Sequence, residues 1–212
     1  MCVICISDRG RRQPTASELE AMFNRNPDGA GYMYARRGQV SIHKGFMDFE
    51  DFWRAVCSER FSSADPVVYH FRISTQAGVN PFMTQPFPVT NNLNITEALD
   101  VLCPLGVAHN GIIPATTDKN EKRYSDTALF TVYYLSRLIR NRDDLHNQKL
   151  HNILEKMIGY SKLALLTGGG EVVTIGHFVE NDGLLLSNLN HIARPVTAPA
   201  GPTRNYSWVW DF

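Results

Sequence analysis

The chain has 212 residues, 43% hydrophobic and 20% charged, which is enough apolar material for a full core in one domain. Its 21 basic residues balance its 21 acidic ones, so no net field draws it to nucleic acid or an anionic membrane. No stretch nears the roughly 18 consecutive apolar residues of a membrane span, and the opening Met1-Cys2-Val3-Ile4-Cys5-Ile6 is too short for a signal-peptide core. A cytoplasmic protein is expected, its four cysteines reduced and forming no disulfide framework.

In chain order, Val3 to Ile6 reads as a buried strand. The basic run Arg9-Gly10-Arg11-Arg12 that follows has no interleaved aromatics and reads as a solvated loop, not a phosphate site. Thr15-Ala16-Ser17-Glu18 has capping-box spacing, with Leu19, Met22 and Phe23 as the apolar face of a helix that stops at Asn26-Pro27-Asp28-Gly29. Residues 30–36 and 39–44 predict a hairpin around Arg37-Gly38, and 49–59 a helix with Phe49, Phe52, Trp53 and Val56 inward.

Val67 to Arg72 predicts a strand, followed by a long Pro, Asn and Gln-rich loop to about residue 94, a length usually tied to function. Residues 106–109 and 112–113 read as two short strands flanking Asn110-Gly111. Residues 125–140 predict the clearest helix, capped by Ser125 or Asp126, with Leu129, Val132, Tyr133, Leu135, Leu138 and Ile139 inward. A further helix is expected over 145–157, then strands over 163–167, 171–175 and 184–187, the first two joined by Gly168-Gly169-Gly170. The end, 195–212, mixes Pro and Gly with Tyr206, Trp208, Trp210 and Phe212 and reads as an extension that packs on the domain or on a partner. This order does not alternate as βαβ units do, so hairpin-connected antiparallel sheets with helices grouped outside are expected, an α+β fold.

Cys2 is the first candidate for chemistry. Removal of Met1 leaves a thiol and an α-amine on one residue, and groups of that kind titrate at roughly 8.5 and 7.7–8.0, so the amine can serve as the thiol's base. Cys2-Val3-Ile4-Cys5 also has Cys-x-x-Cys spacing. In a strand, positions three apart face opposite sides, and no second ligand pair follows, so neither zinc nor redox use is expected. Cys5, Cys57 and Cys103 read as small core residues.

Three distant segments supply what an amide-cleaving cysteine needs. Asn110 and Gly111 offer a side-chain amide and a backbone N–H as oxyanion donors, although Asn-Gly between apolar runs is also a hairpin signal. Arg72 at a strand end suits the α-carboxylate of an amino acid, with an ordinary ion pair as its other reading. Asp126 is either a helix cap or the partner of an α-ammonium. Together they select a zwitterionic amino acid carrying a γ-amide.

Met1-Cys2, Asn26-Pro27-Asp28-Gly29-Ala30-Gly31, His70-Phe71-Arg72-Ile73-Ser74-Thr75, Ala108-His109-Asn110-Gly111-Ile112 and Ser125-Asp126-Thr127, in this order, resemble class II glutamine amidotransferases. These are N-terminal-nucleophile hydrolases, and the stand-alone single-domain branch is most similar. Leu163-Ala164-Leu165-Leu166-Thr167 and Leu186-Ser187-Asn188 extend the resemblance, which sets a domain over 1–194 and an extension over 195–212. The resemblance implies a four-layer αββα sandwich of two antiparallel sheets. It implies release of ammonia from glutamine through a γ-glutamyl thioester, with no cofactor and no metal. Cys2 would be nucleophile and base, Arg72 the carboxylate clamp, Asp126 the ammonium partner, Asn110 and Gly111 the oxyanion hole, and Thr75 a wall of the glutamine pocket. His109 would be packing or a support behind the groups that touch substrate, since the family uses it as neither acid nor base. A separate ammonia-accepting synthetase or ligase is the implied partner, with no nucleic acid and no membrane.

The chain departs from the family's pattern at Val3, Gln76, Met83, Gln85 and Ala128, which bears on pocket shape. Two other readings stand beside the first. One is an N-terminal cysteine hydrolase of another γ-glutamyl or amide substrate, and the other is a catalytically silent member that binds an amino acid or a partner.

Overall fold

A computed structural model describes residues 1–74, 77–116 and 123–192. The first strand, β1 (Val3–Ser7), is buried along its whole length. Thr15 then closes the capping box: its hydroxyl accepts from Glu18 N, and its own N–H donates to a Glu18 carboxylate oxygen at 2.8 Å. Helix α1 (Ala16–Arg25) follows, burying Leu19, Met22 and Phe23, and Asn26 ends it by donating from its side chain to Met22 O.

β2 (Ala30–Arg36) and β3 (Gln39–Phe46) form the expected hairpin, whose two turn residues, Arg37 and Gly38, both have positive φ, as the two-residue turn that matches strand twist requires. Asp48 caps α2 (Phe49–Glu59), which buries Phe52 and Val56 while Phe49 and Trp53 stay partly covered. β4 (Val67–Phe71) lies between β1 and β2.

The loop after β4 holds more structure than its composition suggests: a 3-10 turn (Pro81–Met83), β5 (Phe87–Pro88) and α3 (Leu93–Thr96). Buried Lys44 organises it, donating to Phe82 O, Thr84 O and Thr96 O at 2.6, 3.1 and 2.7 Å, with the Phe87 ring 4.1 Å from its Nζ. Burial holds the Lys44 ammonium well below the usual lysine range. β6 (Asp100–Cys103) follows, outside the sequence expectations, and then β7 (Leu105–Asn110).

The hairpin expected around Asn110-Gly111 is absent. β7 pairs instead with β5 and β8 (Lys162–Thr167), and Ile113 N donates to the Asp126 carboxylate at 2.9 Å, which removes it from any ladder. The helix expected over 125–140 is α4 (Asp126–Phe130), a π-helical turn (Thr131–Leu135) and α5 (Ser136–Leu138). It stops short of Arg140 because the Asp144 carboxylate takes the N–H groups of Arg140 and Asn141. A 3-10 turn (Asp143–His146) precedes α6 (Gln148–Ile158), which Asn147 caps. β9 (Val172–Ile175), β10 (Val179–Asn181) and β11 (Leu184–Leu186) complete the described elements.

The strands form two antiparallel sheets in a mixed α+β fold, seven strands in the order β10-β11-β1-β4-β2-β3-β6 and four in the order β5-β7-β8-β9. Period-two alternation sorts the side chains into three apolar clusters. Val3 and Cys5 join Tyr32, Tyr69 and the inward residues of α1 and α2. Ile4 and Ile6 meet Met33, Ile42, Val68, Ala108, Ala164 and Leu166 between the sheets. Val107, Leu163 and Leu165 face Phe130, Leu150 and Leu154. Cys5 and Cys103 are buried as expected of core cysteines, but Cys57 is exposed on the outer side of α2, a correction that follows from Phe52 and Val56 taking the inward face. The extension 195–212 lies outside the described residues. No helix among the described residues is long and apolar enough to cross a membrane.

Candidate active site

The site forms where β1, β4 and β7 end together. Val3 pairs with Phe71, which sets Cys2 beside Arg72 and Ile73. The Cys2 thiol donates to Ile73 O at 3.6 Å, and Ile73 N donates to Cys2 Sγ at 3.4 Å. Asn188 fixes the Cys2 backbone, its side-chain amide donating to Cys2 O at 2.7 Å. Burial pushes the Cys2 thiol up. The N–H of Ile73, the terminal amine and the Arg72 guanidinium pull it down, and the Asp126 carboxylate pushes it up.

Arg72 is buried, and the Asn26-to-Gly31 segment explains its placement. Arg72 N donates to Gly29 O at 2.8 Å, Asp28 N donates to Arg72 O at 3.0 Å, and the Asp28 carboxylate accepts from Ser74 N at 2.8 Å. From its guanidinium, Nη1 donates to Gly78 O at 2.8 Å. Burial lowers the Arg72 pKa, while Cys2, Asp28 and Asp126 act the other way. Within the same motif Gly31 lets β2 lie against Gln85, whose carbonyl oxygen occupies the space a Cβ would need.

Ser125, not Asp126, caps α4, its hydroxyl accepting from Ala128 N at 3.2 Å. Asp126 is thereby released from capping. Its Oδ1 accepts from Thr127 N at 2.8 Å and its Oδ2 from Ile113 N at 2.9 Å, an arrangement that aims the carboxylate inward from a buried position. Gly111 has φ 136°, and a Cβ there would collide with the Ser161 side chain.

Cys2, Arg72, Gly111 and Asp126, chosen from the sequence, share one cavity with Ile73, Gln85, His109 and Ser125. Its volume is about 20 Å³ with Met1 in place, about the space of one water. Asn110 does not line this cavity; its Nδ2 donates to Ser187 Oγ at 2.8 Å. Thr75 lies outside the described residues.

Of the further wall residues, Ile73, Gln85 and Ser125 had no site role from the sequence, and His109 was expected as packing or support. Gln85 Oε1 accepts from His109 N at 2.7 Å, and its Nε2 donates to Thr127 Oγ1 at 3.2 Å. His109 Nδ1 lies 2.8 Å from the same hydroxyl, which also donates to Asp126 Oδ1 at 3.3 Å. Burial lowers the His109 pKa against the pull of Asp126, so its ring is neutral near pH 7. The signal for Gln85 was its departure from the family pattern; nothing in the local sequence placed it on the cavity wall. Ser187 and Asn188 carried a resemblance but no role.

A cavity of about 620 Å³ opens at the other end of β7, lined by Val89, Leu105, Ile139, Leu145, Thr167 and Gly168 among others. No Cys, His, Asp or Glu lines it, whereas a cavity of about 210 Å³ beside α1 carries Glu18 and His191, and the small cavity at Cys2 alone joins a thiol to Arg72 and Asp126. Among the described residues no cluster of three or more His, Cys, Asp or Glu is placed to hold a metal ion.

No family model matches the chain, and no curated protein sequence does. Among solved structures, the glutamine phosphoribosylpyrophosphate amidotransferase of B. subtilis, solved with ADP and GMP, is similar, with a TM-score of 0.52 at 18% identity. The likeness is one of fold. It covers 90% of this chain and 42% of that one, so the chain spans less than half the length of that enzyme.

Proposed function

We propose that the chain is a class II glutamine amidotransferase domain, or glutaminase-like hydrolase, over residues 1–194. The observation that carries this reading is the convergence of Cys2, Arg72, Gly111 and Asp126 from four distant segments on one cavity, in a fold similar to that of an amidotransferase. Apolar clusters between the sheets and on the helix-covered side of each support a four-layer αββα sandwich.

Met1 is removed first, in this proposal, which places the α-amine on Cys2 and opens the cavity. Arg72 forks onto the α-carboxylate of glutamine and Asp126 receives its α-ammonium. The Cys2 amine takes the thiol proton, and the thiolate attacks the γ-carbonyl carbon. Negative charge on the γ-oxygen is met by Gly111 N–H and an N–H of Asn110 Nδ2. The C–N bond breaks as the amine's proton passes to the departing nitrogen, leaving ammonia and a γ-glutamyl thioester. Water then splits the thioester to glutamate and the free thiol. His109, neutral and tied to Thr127, takes no part in this proton transfer. Ammonia passes to a separate cytoplasmic synthetase or ligase.

Intact mass of native-start protein is expected to show loss of Met1. A glutamine-analogue electrophile is expected to modify Cys2 alone, with ammonia released from glutamine in its absence. Retained Met1, or modification of Cys5, Cys57 or Cys103 in its place, refutes the nucleophile. Modified Cys2 with turnover of a different amide only points to another γ-glutamyl substrate, and a folded protein inert to both points to a silent binding protein.

A further inference from the structure

The ladder between β1 and β11 is irregular where it reaches the site. Cys5 lies opposite Leu186 and Ile6 opposite Leu185, so Ile4 lies opposite Ser187. Opposed antiparallel residues that bond at all exchange both backbone bonds. Here Ser187 N donates to Ile4 O at 2.9 Å, but the return bond from Ile4 N goes to Ser187 Oγ at 2.8 Å. The Ser187 carbonyl is turned away and accepts from Lys162 Nζ of β8 at 2.6 Å.

This exchange sets a buried hydroxyl where a backbone oxygen belongs, and Asn110 Nδ2 of the other sheet donates to it at 2.8 Å. One hydroxyl therefore contacts the strand that carries the nucleophile and the amide of the oxyanion pair. An amide nitrogen has two N–H groups; Ser187 takes one and so orients the other. Asn188, next in the chain, holds Cys2 O.

Resting on the amidotransferase reading, we infer that Ser187 is a positioning residue that fixes the rotamer of Asn110 and its spacing from Cys2, acting on the transition state through Asn110. Alanine retains the β-carbon but loses the acceptor, whereas threonine keeps the hydroxyl. Ammonia release is to be measured for Ser187→Ala, Ser187→Thr, Asn110→Ala and the Ser187→Ala/Asn110→Ala double variant. The expected loss in Ser187→Ala is about 10- to 100-fold in kcat, at or below the loss of a whole oxyanion donor, with KM within about threefold. Ser187→Thr recovers most of it. In the Asn110→Ala background the Ser187 substitution changes kcat by less than about threefold, because its target is already gone. Unchanged kcat in Ser187→Ala, or losses that multiply in the double variant, overturn the inference.

A second measurement separates this inference from the function it rests on. The Asn110 side-chain amide resonances, identified by their loss in Asn110→Ala, are expected to exchange slowly with solvent in the wild type and in Ser187→Thr, and rapidly in Ser187→Ala. That pattern in a protein inert toward glutamine sinks the amidotransferase reading and leaves the Ser187 anchor standing. Glutamine turnover with amide exchange indifferent to Ser187 sinks the anchor alone.

Discussion

His70 provides a direct measurement of how dry the seam between the sheets is. It sits in β4, fully buried, and its Nε2 donates to His109 O at 3.0 Å, which fixes the proton on Nε2 and leaves Nδ1 without a partner. Burial lowers its pKa from 6.5 to about 3. The unfolded chain therefore takes up a proton near pH 6.5 that the folded chain refuses until near pH 3. Stability from this group is complete above about pH 6.5 and is lost as pH falls, to a ceiling of about 3.5 × 1.36, or roughly 5 kcal/mol. Between pH 7.5 and 5.0 the loss is about 2 kcal/mol, from RT times the logarithm of the ratio of proton-binding factors. Glutamine in place of His70 keeps an N–H donor of similar reach and removes the titration. Urea unfolding at the two pH values is expected to show the wild type losing about 2 kcal/mol more than His70→Gln. Parallel losses, within about 0.5 kcal/mol, refute the claim that His70 stays neutral in a dry seam.

Lys44→Met leaves the carbonyls of Phe82, Thr84 and Thr96 without their donor, and the expected cost is about 3 kcal/mol in urea unfolding, since relief from burying the ammonium offsets part of the loss. In folded protein a thiol reagent is expected to reach exposed Cys57 first and Cys2 slowly, with Cys5 and Cys103, whose thiol is pushed up to about 12 by burial, reacting only on unfolding. Arg72→Lys is expected to lower kcat/KM for glutamine about 100-fold by losing the fork that pairs with a carboxylate, and unchanged turnover refutes the clamp. Gly111→Ala is expected to abolish turnover and lower the unfolding midpoint, because φ 136° and contact with Ser161 leave no room for a methyl group.

What the sequence made legible is local. Capping at Thr15, the helix over 49–59 and the turn at Arg37-Gly38 all read correctly because each depends on residues within a few positions. The stretch after Arg72 did not, since the turn at Pro81–Met83 and α3 are tied to Lys44, which donates across 38 to 52 positions of sequence, while β5 pairs with β7 and β6 with β3. Asn110-Gly111 failed as a hairpin for a similar reason: the partner of β7 is β8, and the chain after Gly111 is committed to Asp126. At the site, Cys2, Arg72 and Asp126 were legible by residue type and position. Gln85, Ser187 and Asn188 were not, because an amide or hydroxyl in a loop or at a strand end acquires its partners only when the two sheets meet.

That meeting is the physical problem the proposed reaction poses. Apolar packing between sheets, such as Ile4 and Ile6 against Ala108 and Ala164, is nearly indifferent to small sliding movements, whereas attack on a carbonyl requires nucleophile and oxyanion donors held to within about half an ångström. Buried hydrogen bonds are directional and costly to leave unmade. At the end that carries Cys2 the half-buried bond from Lys162 Nζ to Ser187 O crosses the seam, and two fully buried ones join it: His70 Nε2 to His109 O, and Asn110 Nδ2 to Ser187 Oγ. These two flank one peptide unit of β7, gripping the backbone of His109 and the side chain of Asn110. The apolar seam accounts for the sheets being together, and these directional bonds, with that of Lys162, favour the register in which Gly111 and Cys2 line the same small volume.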